Sequence, residues 1–321
     1  MYTRILVPLD GSKVAEQALP HARYLAEKLK VPVDLLAVVD LVGMAKSGMT
    51  ERVRDLEAFM NANVGRSDTY LQHMSKTFPG IVVGWTVARG NPAEIVIERA
   101  AREDNTLIAM ATHGRSGVDR WLLGSVAEKV LRGTSNALLL VRATAGGKTQ
   151  GESPITRVVV PLDGSPLAEK VLPTVVALGT KLEFETVILR AYNLKQVVST
   201  FEGAIPNWQS LEAQAKRDAL DYLDSKLREL KQQGLVAISS HPSDREAAEE
   251  IIESAAKPGS LIAMCTHGRS GIKRWVLGSV TERVVRHSNQ PVLVIPAKAL
   301  QEEAPAEPID EMRNALKSSL D

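Results

Sequence analysis

A glycine-rich loop running straight into a helix is a place where backbone N–H groups can meet an anion, and this chain contains two such arrangements. Thr112-His113-Gly114-Arg115-Ser116-Gly117 leads to Gly124-Ser125-Val126, and Thr266-His267-Gly268-Arg269-Ser270-Gly271 leads to Gly278-Ser279-Val280. The glycines admit close approach of the backbone to a ligand, and Arg115 and Arg269 are of the type that pairs with phosphate oxygens. Ser125-Val126-Ala127-Glu128 and Ser279-Val280-Thr281-Glu282 also fit the capping box S-x-x-E, which would make each serine an N-cap. Capping accounts for Ser and Glu but not for the glycines, so phosphate binding is the expectation. A second pair of segments carries a carboxylate: Val7-Pro8-Leu9-Asp10-Gly11-Ser12 recurs unchanged as Val160-Pro161-Leu162-Asp163-Gly164-Ser165. Asp10 and Asp163 fit a ligand-facing carboxylate, and equally the Asx residue of a strand-to-helix turn capped by the following serine.

Other chemistries find no support. His113 and His267 follow apolar strands, yet no Ser or Cys nucleophile stands in a recognisable pattern with a base and a carboxylate, so no catalytic residue is expected. The single cysteine, Cys265, excludes an intrachain disulfide and a Cys-rich zinc site; at the end of an apolar strand it reads as a small hydrophobe. No carboxylate cluster suggests a tightly bound metal. Gly147-Lys148-Thr149 imitates the end of a Walker A loop, but Arg142 stands where its first glycine belongs. Trp121 and Trp275 read as cover for loop or core, and Glu128 with Arg132, like Glu282 with Arg286, as helix-surface pairs at i, i+4. Lys plus Arg (39) and Asp plus Glu (38) nearly cancel, leaving no broad field to gather nucleic acid or anionic lipid. With no signal-peptide pattern and no apolar run of membrane-spanning length, the expectation is a cytoplasmic protein without membrane or nucleic-acid partners.

The elements that position these residues come in two copies. The Asp-bearing segment recurs 153 positions on, and Thr112 to Val126 recurs 154 positions on with 12 of 15 residues identical. The chain is a tandem duplication, expected as a first domain over 1–142, a linker over 143–156 that is small and polar with three Gly and a Pro, a second domain over 157–297 and a Pro- and Glu-rich tail over 298–321. In each copy short continuous apolar runs alternate with helical stripes. The runs are Ile5 to Val7, Val33 to Val39, Ile81 to Val87, Thr106 to Ala111 and Ala137 to Val141, then Val158 to Val160, Thr186 to Leu189, Leu235 to Ile238, Leu261 to Met264 and Val292 to Ile295. Each copy is therefore βαβαβαβαβ, an α/β doubly wound, five-stranded parallel sheet of Rossmann-like type. In strand order 3-2-1-4-5 the ends of strands one and four are neighbours at the switch point, and the two repeated segments converge on one crevice.

On these motifs the chain resembles a tandem member of the universal stress protein family, in its nucleotide-binding branch, whose mark is G-x2-G-x9-G-[ST]. Gly114-x9-Gly124-Ser125 and Gly268-x9-Gly278-Ser279 match the second half of that pattern, while Ala111 and Cys265 replace its first glycine. At ordinary strand angles Ala or Cys fits there without strain; a positive φ would make a Cβ crowd the ligand. The resemblance implies the adenine nucleotide alpha hydrolase-like fold and an ATP or related adenine nucleotide ligand, with or without Mg²⁺. It implies that Asp10 and Asp163 sit beside the adenine, that backbone at Val39 and Ala191 flanks the base, and that Gly114, Arg115, Gly124, Ser125 and Val126, with Gly268, Arg269, Gly278, Ser279 and Val280, hold ribose and phosphates. Pro8, Ser12, Pro161 and Ser165 complete the expected set. It also implies pairing through the fifth strands, as an internal pseudo-dimer and in homo-oligomers, and a stress-response regulatory role with an unidentified protein partner. Two alternatives accompany that reading: an interaction module of the same fold without nucleotide, and a slow ATP hydrolase, although P-L-D-G-S replaces the S-G-G-x-D-S loop of the related hydrolases and ligases.

Overall fold

The computed structural model describes residues 1–40, 56–112, 123–144, 146–193, 208–266 and 277–296. In the first half the strands are β1 (Arg4–Pro8), β2 (Val33–Val39), β3 (Val83–Arg89), β4 (Thr106–Ala111) and β5 (Leu138–Val141), and the helices α1 (Leu19–Leu29), α2 (Leu56–Ser75), α3 (Pro92–Ala101) and α4 (Ser125–Gly133). The second half repeats them as β6 (Arg157–Pro161), β7 (Glu185–Ala191), β8 (Ile238–Ser243), β9 (Ser260–Cys265) and β10 (Val292–Ile295), with α5 (Leu172–Leu182), α6 (Trp208–Gln232), α7 (Ala247–Ser254) and α8 (Ser279–His287). Ten strands form one sheet in the order β3-β2-β1-β4-β5-β10-β9-β6-β7-β8, so each half has the order 3-2-1-4-5. Pairing is parallel within each half, and β5 and β10 meet antiparallel with Leu139 opposite Leu293. The expected pairing of the fifth strands is thus realised inside one chain. β8 starts where the predicted strand ends: its sequence, ISSHPS, lies at the sheet edge and needs no continuous apolar run, which is why the apolar signal falls on Leu235 and Val236 before it.

The inner strands β4, β5, β9 and β10 are buried at every residue, as helices on both faces require. One apolar core lies on the α1, α2, α5 and α6 face, with Leu19, Leu71, Leu172 and Leu223 among its members, and a second lies on the α3, α4, α7 and α8 face with Val96, Val130, Ile251 and Val284. Each core runs through both halves.

Within the segment expected to be a linker, several residues are bonded to the first half. Gln17 Nε2 donates to Thr144 O (2.8 Å) and Gln17 Oε1 accepts from Thr144 N (2.9 Å). Arg23 Nη1 donates to Thr149 O (3.1 Å) and Gly151 O (2.9 Å), Ser153 N to Pro20 O (3.2 Å), and Ile155 is buried. A buried guanidinium must find acceptors, and the carbonyls of this stretch supply them. The tail from residue 298 lies outside the described residues, and among those described no helix is long and apolar enough to cross a membrane.

Candidate functional site

Both Asp-bearing turns have one geometry. Asp163 Oδ1 accepts from Ser165 N (2.9 Å) and Ser165 Oγ (2.6 Å), and Ser165 Oγ accepts from Ala168 N (3.1 Å), capping the helical turn Pro166–Glu169. Asp10, Ser12 and Ala15 repeat the contacts at 2.9, 2.6 and 3.1 Å. The Asx-and-cap reading is therefore correct for one carboxylate oxygen in each copy. The turn depends on glycine: Gly164 has φ +85°, where a Cβ is strained, and a Cβ would stand 3.2 Å from the Arg190 guanidinium behind it.

At the helix starts the capping-box alternative does not hold. Gly124 and Gly278 are themselves the N-caps, at φ −58°, ψ 143° and φ −59°, ψ 139°, with no side-chain cap, and Ser125 and Ser279 are the first helical residues. Glu128 N and Glu282 N close ordinary helical bonds to Gly124 O (2.9 Å) and Gly278 O (2.8 Å), while the two carboxylates pair with Arg132 (3.1 Å) and Arg286 (2.9 Å) at the i, i+4 spacing. The N–H groups of Ser125, Val126 and Ala127, and of Ser279, Val280 and Thr281, precede the first intrahelical bond, as at any helix start. Gly124 N donates to Thr112 O (2.6 Å) and Gly278 N to Thr266 O (2.9 Å), which pins each helix start to the end of its strand. Since both glycines have ordinary negative φ, what they contribute is the missing Cβ rather than an unusual backbone.

In the second half these parts enclose a cavity of about 240 Å³ at the carboxyl end of the sheet. Pro161, Leu162, Asp163 and Ala168 form one side, Leu189 and Ala191 of β7 and Met264 and Cys265 of β9 the floor, and Ala247 and Ile251 of α7 another wall; Gly278, the N-cap of α8, with Ser279, Val280 and Thr281 of that helix supplies the polar end. Of the second-copy residues singled out in the sequence, Pro161, Asp163, Ala191, Gly278, Ser279 and Val280 line this cavity, whereas Ser165 caps the turn beside it. In the first copy Pro8 ends β1, Val39 ends β2, Asp10 and Ser12 form the matching turn, and Gly124, Ser125 and Val126 open α4. Gly114, Arg115, Gly268 and Arg269 lie outside the described residues, as do His113, His267, Trp121 and Trp275.

The walls contributed by Leu189, Ala247, Ile251 and Met264, and the polar contribution of Thr281, were not singled out from sequence. The signal available was period: Leu189 and Ala191 share a strand face, and Ala247 and Ile251 share a helical face at i, i+4.

The replaced motif glycines fit without strain. Among the described residues the non-glycine residues with positive φ are Lys30, Asn105 and Glu183, so Ala111 and Cys265 have ordinary strand backbone. Burial pushes the Cys265 thiol up to about 12, and its Sγ donates to Ala168 O at 3.8 Å, so it stays protonated and acts as apolar floor. Among the described residues there is no cluster of His, Cys, Asp and Glu able to hold a metal ion.

The doubly wound sheet, repeated in two halves, agrees with the comparisons to known proteins. The chain matches the universal stress protein family over residues 1–142 and again over 154–296, and it belongs to that family. Universal stress protein MJ0531 of Methanocaldococcus jannaschii is 30% identical over 145 residues, which is 44% of this chain and 83% of that protein. Universal stress protein MJ0577 of the same organism is 29% identical over 157 residues, 44% of this chain and 96% of the relative. Among solved structures, a universal stress protein from Archaeoglobus fulgidus covers 92% of this chain and 99% of its own, with a TM-score of 0.67 at 20% identity, a likeness of fold.

Proposed function

We propose that the chain is a cytoplasmic stress-response regulator that binds ATP or a related adenine nucleotide at the carboxyl ends of strands one and four of each half. The two binding units are residues 1–142 and 157–297. The observation that carries this reading is the second-half cavity: apolar walls beside a carboxylate, ending on helix N–H groups that have no partner among the described residues. An apolar slot with few polar groups suits a flat base, and a helix start without a side-chain cap suits phosphate. At about 240 Å³ the cavity is smaller than the ~300–1,000 Å³ of sites that swallow a whole drug-sized ligand, so base and ribose would fill it and the phosphates would rest on α8. Ala191 would flank the base and Asp163 would stand beside it, with Val39 and Asp10 in those roles in the first half. No residue is assigned a catalytic role, so any hydrolysis would be slow and incidental. Mg²⁺, if it accompanies the nucleotide, would be held largely by phosphate and water.

The test is a mass spectrum of the small molecules released on denaturing purified protein, followed by calorimetric titration of the emptied protein with ATP. An adenine nucleotide released and rebound supports the reading. Protein that carries none and takes up none refutes it and leaves the nucleotide-independent interaction module.

A further inference from the structure

We propose that Thr281 is a positioning residue of the second site, holding the first turn of α8 so that the N–H groups of Ser279, Val280 and Thr281 face the phosphates of a bound nucleotide. This rests on the nucleotide-binding reading and goes beyond it by naming what aims the donors. Thr281 Oγ1 donates to the backbone carbonyl of Cys265 at 3.0 Å, and the hydroxyl is buried, with Thr281 only 3% exposed. Cys265 is the last residue of β9 and Thr281 the third of α8, and both line the cavity, so this bond ties its floor directly to the helix start. With Gly278 N donating to Thr266 O at 2.9 Å, the helix start is held at two points. One bond alone leaves a helix start free to pivot about it, and two bonds, to the last residue of β9 and to the residue after it, fix its direction. Donors already aimed at the ligand need not be ordered on binding, which is where preorganisation gains affinity.

The first half lacks the second tie. Gly124 N donates to Thr112 O at 2.6 Å, but Ala127 stands where the second half has Thr281 and has no side-chain donor. That difference also supplies a safe variant: an alanine at this helical position already exists in a folded half of the same chain.

The experiment follows the amide resonances of Val280 and Val126 in full-length ¹⁵N-labelled protein during titration with ATP, one reporting each site. Thr281→Ala should weaken the ATP response at Val280 about tenfold and leave that at Val126 unchanged, and Thr281→Ser, which differs from it by the hydroxyl, should restore the affinity. Adenosine, which has no phosphate, should bind the second site equally well in Thr281→Ala and wild type; a merely structural loss would weaken it too. Unchanged ATP affinity at Val280 in Thr281→Ala overturns the proposal, and so does an equal loss for adenosine. If neither amide of the wild type responds to ATP, the nucleotide reading itself fails, an outcome seen before any variant is measured.

Discussion

Replacing Gly124 and Gly278 with aspartate should separate the proposed ligand binding from folding. Both residues are helix N-caps with extended backbone, φ −58° and −59° with ψ 143° and 139°, the conformation from which an Asp side chain accepts from the second and third N–H of the helix. In the protein without ligand, Gly124→Asp and Gly278→Asp should therefore be neutral or stabilising by a few tenths of a kcal/mol each, since Gly is only slightly worse than Asp as a cap. At ~2–4 °C per kcal/mol for domains of 150–250 residues, the melting temperature should rise by no more than about 2 °C. Binding should behave in the opposite way. The new carboxylate takes the N–H groups that would meet phosphate and sets a like charge beside it. Hydrogen bonds to a charged group contribute about 1.5–3 kcal/mol each, so losing two costs roughly 3–6 kcal/mol, a factor of at least 100 in Kd. Calorimetric titration of the double variant with ATP should show no measurable heat under conditions that saturate the wild type, and a thermal scan of the same sample should show an intact transition. ATP affinity within threefold of wild type would refute the helix-start mechanism, and a fall of more than 5 °C in the apo melting temperature would show that these glycines serve the fold.

Three further outcomes follow from other parts of the structure. His21 on α1 has a buried Nδ1 without a partner, and burial lowers its pKa from 6.5 to about 4, so the folded state holds it neutral. Its contribution is present above the unfolded pKa and is lost as pH falls through 6.5 toward 4, about 2 kcal/mol by pH 5; urea unfolding at pH 7 and pH 5 should show His21→Thr, the residue type at the matching Thr174, losing less stability than wild type, and equal losses count against this. In the first half Thr106 Oγ1 accepts from Arg4 Nε at 2.9 Å, whereas at the matching positions Arg157 Nε and Ser260 Oγ are buried without partners. Ser260→Thr should place the hydroxyl as in the first half and stabilise the chain by about 0.5–1.5 kcal/mol in denaturant titration, and no gain would mean that the missing bond is set by the backbone instead. Either half expressed alone should self-associate through its fifth strand, because β5 (LLLV) and β10 (VLVI) would become open apolar edges; a half that stays monomeric at high concentration in sedimentation would contradict the role given to this pairing.

Much of this architecture was legible because its strongest constraints are local. A parallel strand covered on both faces has to be apolar throughout, so TLIAMA and SLIAMC announce β4 and β9 without any knowledge of their neighbours. Given the order 3-2-1-4-5, the repeated Asp turn and glycine loop then fall at neighbouring strand ends. The capping alternative stayed open in the sequence because S-x-x-E reads the same whether Ser is the cap or the first helical residue, and only the backbone at Gly124 and Gly278 decides between them. The stretch from Ala143 to Thr156 has the composition of a linker, yet Thr144, Thr149 and Gly151 within it are bonded to Gln17 and Arg23, which lie more than a hundred residues away in sequence. The cavity wall was hidden for a similar reason: Ile251 and Met264 are ordinary apolar residues until the sheet order sets α7 and β9 on either side of one space.

Joining two copies in one chain frees each copy from having to match the other. In a pair of identical subunits every contact across the two-fold axis must occur twice, and a residue that suits one site has to be tolerated in both. Here the constraint is lifted, and the structure shows it used at the interface. Arg142, just beyond β5, donates from Nη1 to His287 O (3.1 Å) and Ser288 O (3.4 Å) at the carboxyl end of α8, while the position matching Arg142 beyond β10 is Pro296, which has no side-chain donor to return the contact. Cations at a helix carboxyl end complement its dipole, so α8 receives a stabilising contact that α4 does not get from Pro296. The helix tied down by Arg142 at one end is also the helix tied by Thr281 at the other. Both differences act on α8, the helix that opens the proposed second site, and both add a contact that α4 does not have, an asymmetry that a symmetric dimer of single domains could not sustain.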